Sequence, residues 1–71
     1  MSQTITPREL EILKLVSEGD ANKTIAEKVK LSEQTVKNHI SIILTKLGAN
    51  NRTHAVSIAV KEHLLPSYRV K

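Results

Sequence analysis

A stripe of short polar side chains carries the clearest chemical signal in this sequence. Its members recur at helical spacing, and the side chain of each can take part in hydrogen bonds: Gln34, Lys37, Asn38, Ser41 and Thr45. Apolar residues recur on the other side of the same segment, 32–47: Val36, Ile40, Ile43, Leu44 and Leu47. A helix that is buried on one side and lined with hydrogen-bonding groups on the other fits the major groove of DNA. The segment therefore predicts a DNA-contacting helix.

Further helical segments must position this stripe, and the first of them has clear boundaries. Thr6 can cap the helix, Pro7 suits its first turn, and Glu9 can complete a capping box. Gly19 then ends the helix as a C-cap. The spacing of the apolar residues between these signals predicts one amphipathic helix.

A second helix is predicted over about 22–29, and it lies very close in sequence to the third. Asp20 and Asn22 are both candidate caps for its start. Only two residues separate it from Ser32, a strong N-cap for the third helix, which ends at Gly48. So short a connection makes two helices cross steeply, as in a helix-turn-helix unit.

The fourth predicted helix begins at Arg52 or Thr53, runs to about His63, and has too wide an apolar surface for one buried face. Three of its residues can complete the intrachain core: Ala55, Ile58 and Ala59. Four others are left for a second surface: Val56, Val60, His63 and Leu64. An apolar strip on so small a domain suggests self-association, which is expected to be weak because one short helix buries little area.

Composition excludes several other classes of protein. The chain has no cysteine and one aromatic residue, Tyr68, so it offers neither disulfides nor stacking platforms for single-stranded nucleic acid. Its three histidines lack metal-ligand spacing, and no catalytic constellation or phosphate-binding glycine loop is recognisable. No apolar run is long enough to cross a bilayer, and no secretion signal begins the chain. We expect a cytoplasmic non-enzyme without metal, cofactor or membrane contact.

Positive charge is concentrated in the part of the chain that holds the polar stripe. Residues 1–20 contain four acidic and two basic side chains, whereas residues 21–71 contain nine basic and three acidic ones. A polyanion such as DNA is a fitting partner for this asymmetry.

Five short motifs occur in order along the chain: TPRELEILKL, GDANKTIA, LSEQTVKNHI, LTKLG and NRTHAV. Together they closely resemble the LuxR/GerE-type DNA-binding domain, the output domain of NarL-type response regulators and quorum-sensing receptors. The resemblance extends from residue 4 to about residue 64. It implies an all-α domain over 4–65, a compact four-helix bundle whose second and third helices form a helix-turn-helix. Residues 66–71 are expected to form a frayed basic tail.

The resemblance also implies roles for individual residues. It places Lys37, Asn38 and Ser41 at base edges in the major groove. It places Lys23, Thr35 and His39 near DNA phosphates. Members of the family bind as dimers to inverted or direct half-sites, and the fourth helix would form the contact between subunits.

Three basic side chains have open assignments: Lys46, Arg52 and His39. Lys46 and Arg52 can contact phosphates at the far end of the third helix, but Arg52 can instead pair with Glu9 or Glu11, and we favour that pairing. His39 lies one step off the polar stripe, so packing and phosphate contact are equally compatible with its position.

The sequence departs from the family pattern at several positions. Ala21 stands where many relatives have Ser or Thr, and Thr24 where many have Glu, so a familiar capping box is lost and Asn22 is its expected substitute. Some relatives have Lys at the position of Ser41, so no relative's target sequence can be transferred. Ile42 replaces a residue that is often polar and can pack on the flank of the third helix.

We predict a sequence-specific DNA-binding domain that regulates transcription, with double-stranded DNA and a second copy of itself as partners. Only five residues precede Thr6, and we expect a receiver or sensor domain ahead of this one in a longer protein, as is usual in the family.

Two alternatives remain. The Gly48 turn followed by NRTHAV argues against a fragment like region 4 of a sigma factor. Weak DNA binding with a tight protein complex would indicate a protein-binding inhibitor of a regulator.

Overall fold

Helices account for all the regular structure in the computed structural model, which describes residues 4–65. They are α1 Pro7–Ser17, α2 Asn22–Val29, α3 Glu33–Leu47 and α4 Arg52–Lys61. Helix α3 packs against each of the other three, and α1 also contacts α2 and α4. The predicted all-α four-helix fold is confirmed, whereas the expected tail at 66–71 lies outside the described residues. None of the described helices could cross a membrane, given their length and apolar content.

Local capping sets three of the helix ends as predicted. The backbone N–H of Glu9 donates to Thr6 Oγ1 at 3.1 Å and Thr6 N–H donates to Glu9 Oε1 at 2.9 Å, so both halves of the capping box are formed. Ser32 Oγ accepts from the N–H of Thr35 at 3.1 Å and begins α3. Gly48, with φ of 67°, ends α3 in the left-handed conformation that glycine adopts without steric cost.

Helix α2 spans the predicted residues, Asn22–Val29, but neither Asp20 nor Asn22 caps it. The N-cap is Ala21, which offers no side-chain acceptor to the first N–H groups. Asn22 already belongs to the helix, and its Oδ1 accepts a hydrogen bond from Arg52. Asp20 precedes the cap and accepts from Lys28 Nζ at 2.8 Å. It is the side chain of the N-cap residue that normally accepts from the free N–H groups of the first turn.

The core is built from one or more residues of every helix. Its fully or nearly buried hydrophobic members are Ile12, Leu13, Ile25, Ala26, Val29, Val36, Ile43, Ala55, Ala59 and Leu65. Because α3 contributes Val36 and Ile43 to this cluster, its opposite face is directed to solvent.

Helix α4 uses its apolar residues differently from the prediction. Ala55 and Ala59 are buried, but Ile58, expected in the core, is only half-buried. Helix α4 ends at Lys61, two residues before the predicted end at His63. His63 adopts a left-handed conformation with φ of 63°, and the chain then turns so that Leu65 is buried. Leu65 from this turned segment belongs to the core cluster, whereas Ile58 does not.

An ion pair connects the start of α1 to the end of α3. Lys46 Nζ donates to Glu9 Oε1 at 2.8 Å and Oε2 at 3.1 Å, and to the carbonyl oxygen of Thr4 at 3.0 Å. The prediction that Arg52 pairs with Glu9 or Glu11 is therefore wrong. Arg52 begins α4 beside the start of α2, where its partner is Asn22.

Candidate nucleic-acid interface

The polar stripe of α3 faces solvent. Every one of its members is exposed: Gln34, Lys37, Asn38, Ser41 and Thr45. Two hydrogen bonds order the stripe, from Gln34 Nε2 to Asn38 Oδ1 at 3.1 Å and from Thr45 Oγ1 to the Ser41 carbonyl oxygen at 3.1 Å. Because α3 is held from behind by three helices, the stripe is presented on a rigid element.

Lys37 is the positive charge of the stripe. Within residues 4–65 its ammonium group forms no ion pair or hydrogen bond. It borders a shallow concavity of about 330 Å³ that is lined by Asn22, Lys37, Ile40, Ser41 and Arg52. The stripe therefore continues sideways into a basic, hydrogen-bonding surface at the starts of α2 and α4. No local pattern in the sequence signals this surface, since Arg52 and Asn22 are 30 positions apart.

The first turn of α2 can accept an anion. Its leading N–H groups have no side-chain acceptor, because the N-cap is Ala21. Lys23 lies in that turn, is exposed, and has no ion-pair partner among the described residues. Free N–H groups, the helix dipole and a nearby ammonium group together favour a phosphate at this position.

Lys28, on the outer side of α2, is held by an acid. Its hydrogen bond to Asp20 raises the pKa of the Lys28 ammonium above 10.5, and the charges of Asp20 and Glu18 act in the same direction. The pair with Asp20 partly neutralises Lys28, so Lys23 is the more available cation of this helix.

The other three residues predicted near phosphates differ in their exposure and in their hydrogen-bond partners. Thr35 is partly exposed and its hydroxyl accepts from Ser32 Oγ at 2.9 Å. His39 is partly buried, and its Nδ1 is buried without a hydrogen-bond partner, so both predicted roles for it stay open. Lys46 uses three hydrogen bonds on Glu9 and Thr4, as many as its ammonium group can donate. A phosphate contact of Lys46 stays a prediction, and it would require breaking one of these bonds.

The residues predicted for subunit contact form a less open surface than the sequence suggested. Val56, Val60 and Leu64 are partly buried and pack against the core, whereas His63 is exposed. Beside Val56 a groove of about 370 Å³ separates α4 from the end of α1. The groove is lined by Val16, Ser17, Gly19, Asp20, Arg52, Thr53 and Val56. The apolar area left for a partner is correspondingly small.

Comparison with known proteins identifies the domain. The family model of the bacterial regulatory proteins, luxR family (GerE), matches residues 3–59. The chain is 46% identical over 63 residues to the transcriptional regulatory protein LiaR of Bacillus subtilis (strain 168), covering 89% of this chain and 30% of LiaR. It is 47% identical over 57 residues to the transcriptional regulatory protein DegU of Brevibacillus brevis, covering 80% of this chain and 24% of DegU.

A solved structure has the same fold. The crystal structure of the response regulator ChrA, from a heme-sensing two-component system, superposes with a TM-score of 0.86 at 40% identity, covering 92% of this chain and 32% of ChrA. The chain thus spans about a third or less of the length of the relatives it matches. It belongs to the LuxR (GerE) family of bacterial regulatory proteins and is a LuxR-type helix-turn-helix DNA-binding domain.

Proposed function

We propose that this domain inserts α3 into the major groove of DNA and reads sequence with Lys37, Asn38 and Ser41. The observation that carries the proposal is the exposed polar stripe of α3, whose cation Lys37 has no partner among the described residues. Lys37 can donate to O6 and N7 of guanine, and Asn38 can pair bidentately with adenine. Ser41 can contact more than one kind of base, so its contact selects a base less sharply than those of Lys37 and Asn38.

Phosphate contacts would position the helix in the groove. The free first turn of α2 and Lys23 lie on the helix that precedes α3 in the helix-turn-helix, where one DNA strand would pass. Thr35 and His39 are proposed as further contacts. These interactions set affinity and register, whereas the base contacts set specificity.

Selection of bound duplexes from a random pool, at stated salt, tests the proposal. We expect a short enriched sequence that competes for the protein against scrambled DNA. Failure to enrich any sequence would overturn sequence-specific binding. Failure combined with a tight complex with another protein would instead support the protein-binding inhibitor.

Lys23→Ala is expected to weaken binding to all duplexes alike and to reduce the salt dependence of binding. Each phosphate contact contributes about 0.9 to the slope of log K against log salt. The measurement is fluorescence anisotropy on enriched and scrambled duplexes at several salt concentrations. Lys14→Ala is the matched control, because Lys14 is exposed on α1, away from the stripe. An unchanged slope for Lys23→Ala would remove this residue from the interface.

We propose that two copies bind adjacent half-sites through α4, and that the isolated domain is a weak dimer. Half-sites of a dimer must lie on the same side of the duplex, about 10–10.5 base pairs apart or a multiple of this. Binding to a duplex with two half-sites is therefore expected to be cooperative. Inserting five base pairs rotates one half-site by about half a turn and should abolish the cooperativity. Cooperativity that survives the insertion would contradict a fixed α4 contact.

A longer regulatory protein is the proposed context of the domain. The matched relatives are about three times as long or longer, and one of them is a response regulator of a two-component system. We propose a receiver or sensor domain N-terminal to this one, a role in regulating transcription, and a cytoplasmic location, where the bacterial chromosome lies.

A further inference from the structure

Ile42 is an unusual side chain on α3. It is 47% exposed, and no other large hydrophobic residue in 4–65 is classed as exposed. The remaining apolar residues of α3 either lie in the core or pack against it: Val36, Ile40, Ile43, Leu44 and Leu47. The expectation that Ile42 packs on the flank of α3 therefore accounts for only part of its surface.

The helical position of Ile42 places it at the edge of the polar stripe. Successive residues are rotated by about 100°, so Ile42 lies about 40° from Asn38 and about 60° from Thr45 around the helix axis. It follows Asn38 by one turn and precedes Thr45 by one turn. A ligand that contacts the stripe at Asn38 and Thr45 would therefore also cover Ile42.

We propose that Ile42 contacts the 5-methyl group of a thymine and adds a thymine preference next to the base that Asn38 reads. The inference rests on the proposed DNA binding. The thymine methyl is the apolar group that base edges present in the major groove. The α3 side chains three or four positions from Ile42 are Asn38, His39, Thr45 and Lys46, none of them an acid, and Lys46 is paired with Glu9. A surrounding without an unpaired acid suits a DNA edge.

Uracil substitution tests the contact one methyl group at a time. In the enriched duplex, one thymine at a time is replaced by uracil, which keeps base pairing and removes the methyl group. Wild-type protein should lose about fourfold in affinity at one position per half-site, the ratio expected for one buried methyl-sized group. Ile42→Ala should bind the thymine and uracil duplexes equally well. Ile42→Gln should also lose the preference, which keeps the test valid if one variant folds poorly.

Ser57→Ala is the control, because Ser57 is exposed on α4 and lies outside the polar stripe. It should retain the difference between thymine and uracil. The proposal is overturned if no uracil position affects the wild type, or if Ile42→Ala keeps the wild-type ratio. A variant that keeps the ratio but loses binding to another protein would assign Ile42 to a protein contact. If the wild type enriches no sequence at all, the proposed function itself fails, and this outcome precedes the uracil test.

Discussion

Replacing Glu9 by Gln is expected to lower the free energy of unfolding by about 3 kcal/mol, the low end of the range for breaking a buried ion pair. The Glu9 side chain is 7% exposed and its partner Lys46 is 17% exposed. Without the carboxylate, the Lys46 ammonium stays largely desolvated and loses its counter-charge. So large a loss is a substantial part of the stability of a small domain. Urea denaturation followed by circular dichroism measures it.

Two further variants distinguish the buried pair from an ordinary surface pair. Arg8 and Glu11 form an exposed pair at 3.2 Å, so Glu11→Gln should cost at most about 1 kcal/mol. Combining Glu9→Gln with Lys46→Met should recover part of the loss, because no buried charge is then left without a partner. Equal stability of Glu9→Gln and Glu11→Gln would show that the buried pair contributes little.

The contribution of Glu9 to the free energy of unfolding should also depend on pH. Burial by itself raises the pKa of the Glu9 carboxyl, but the hydrogen bonds from Lys46 and Thr6 outweigh it and leave the pKa below 4.5. A carboxyl whose pKa is lower in the folded state stabilises that state above the unfolded pKa. The difference in unfolding free energy between wild type and Glu9→Gln should therefore be constant above about pH 5 and shrink as the pH falls below it.

Lys37→Ala and Asn38→Ala are each expected to reduce affinity for the enriched duplex by about 5- to 150-fold, because one good base contact provides about 1–3 kcal/mol of discrimination. Affinity for scrambled DNA should change much less. Lys37 has no competing partner in the described residues, whereas Asn38 must release its bond from Gln34 or rearrange it. Competition binding at fixed salt measures both affinities.

Ser57→Ala provides the control for these variants, since Ser57 is polar and exposed on α4 instead of α3. It should leave both affinities unchanged. An equal loss on enriched and scrambled duplexes for Lys37→Ala would assign Lys37 to phosphates and count against its role at a base.

Local signals predicted the helices well. The capping box at Thr6 and the cap at Ser32 both act between residues three positions apart, and the left-handed turn at Gly48 depends on a single residue. Such interactions can be recognised without knowing the fold. The exposed stripe of α3 followed from helical periodicity, which any core on its apolar side would satisfy.

Assignments of charged partners were less successful, because they depend on how the helices pack. Glu9 and Lys46 are 37 positions apart, and only the packing of α1 on α3 brings them together. The start of α2 at Asn22 was predicted correctly, but its cap was misassigned, since the sequence offered two side chains with capping chemistry and neither occupies the N-cap position.

The sequence by itself determined the family, the helices and the polar stripe from 34 to 45, because each depends on residue types at short, regular spacing. Tertiary structure decided which cations are free to meet DNA. It paired Lys46 with Glu9 and Arg52 with Asn22, and left Lys37 and Lys23 without partners among the described residues. It also left Ile42 at the edge of the stripe. Long-range pairing and exposure are properties of the packed helices, and no local pattern specifies them.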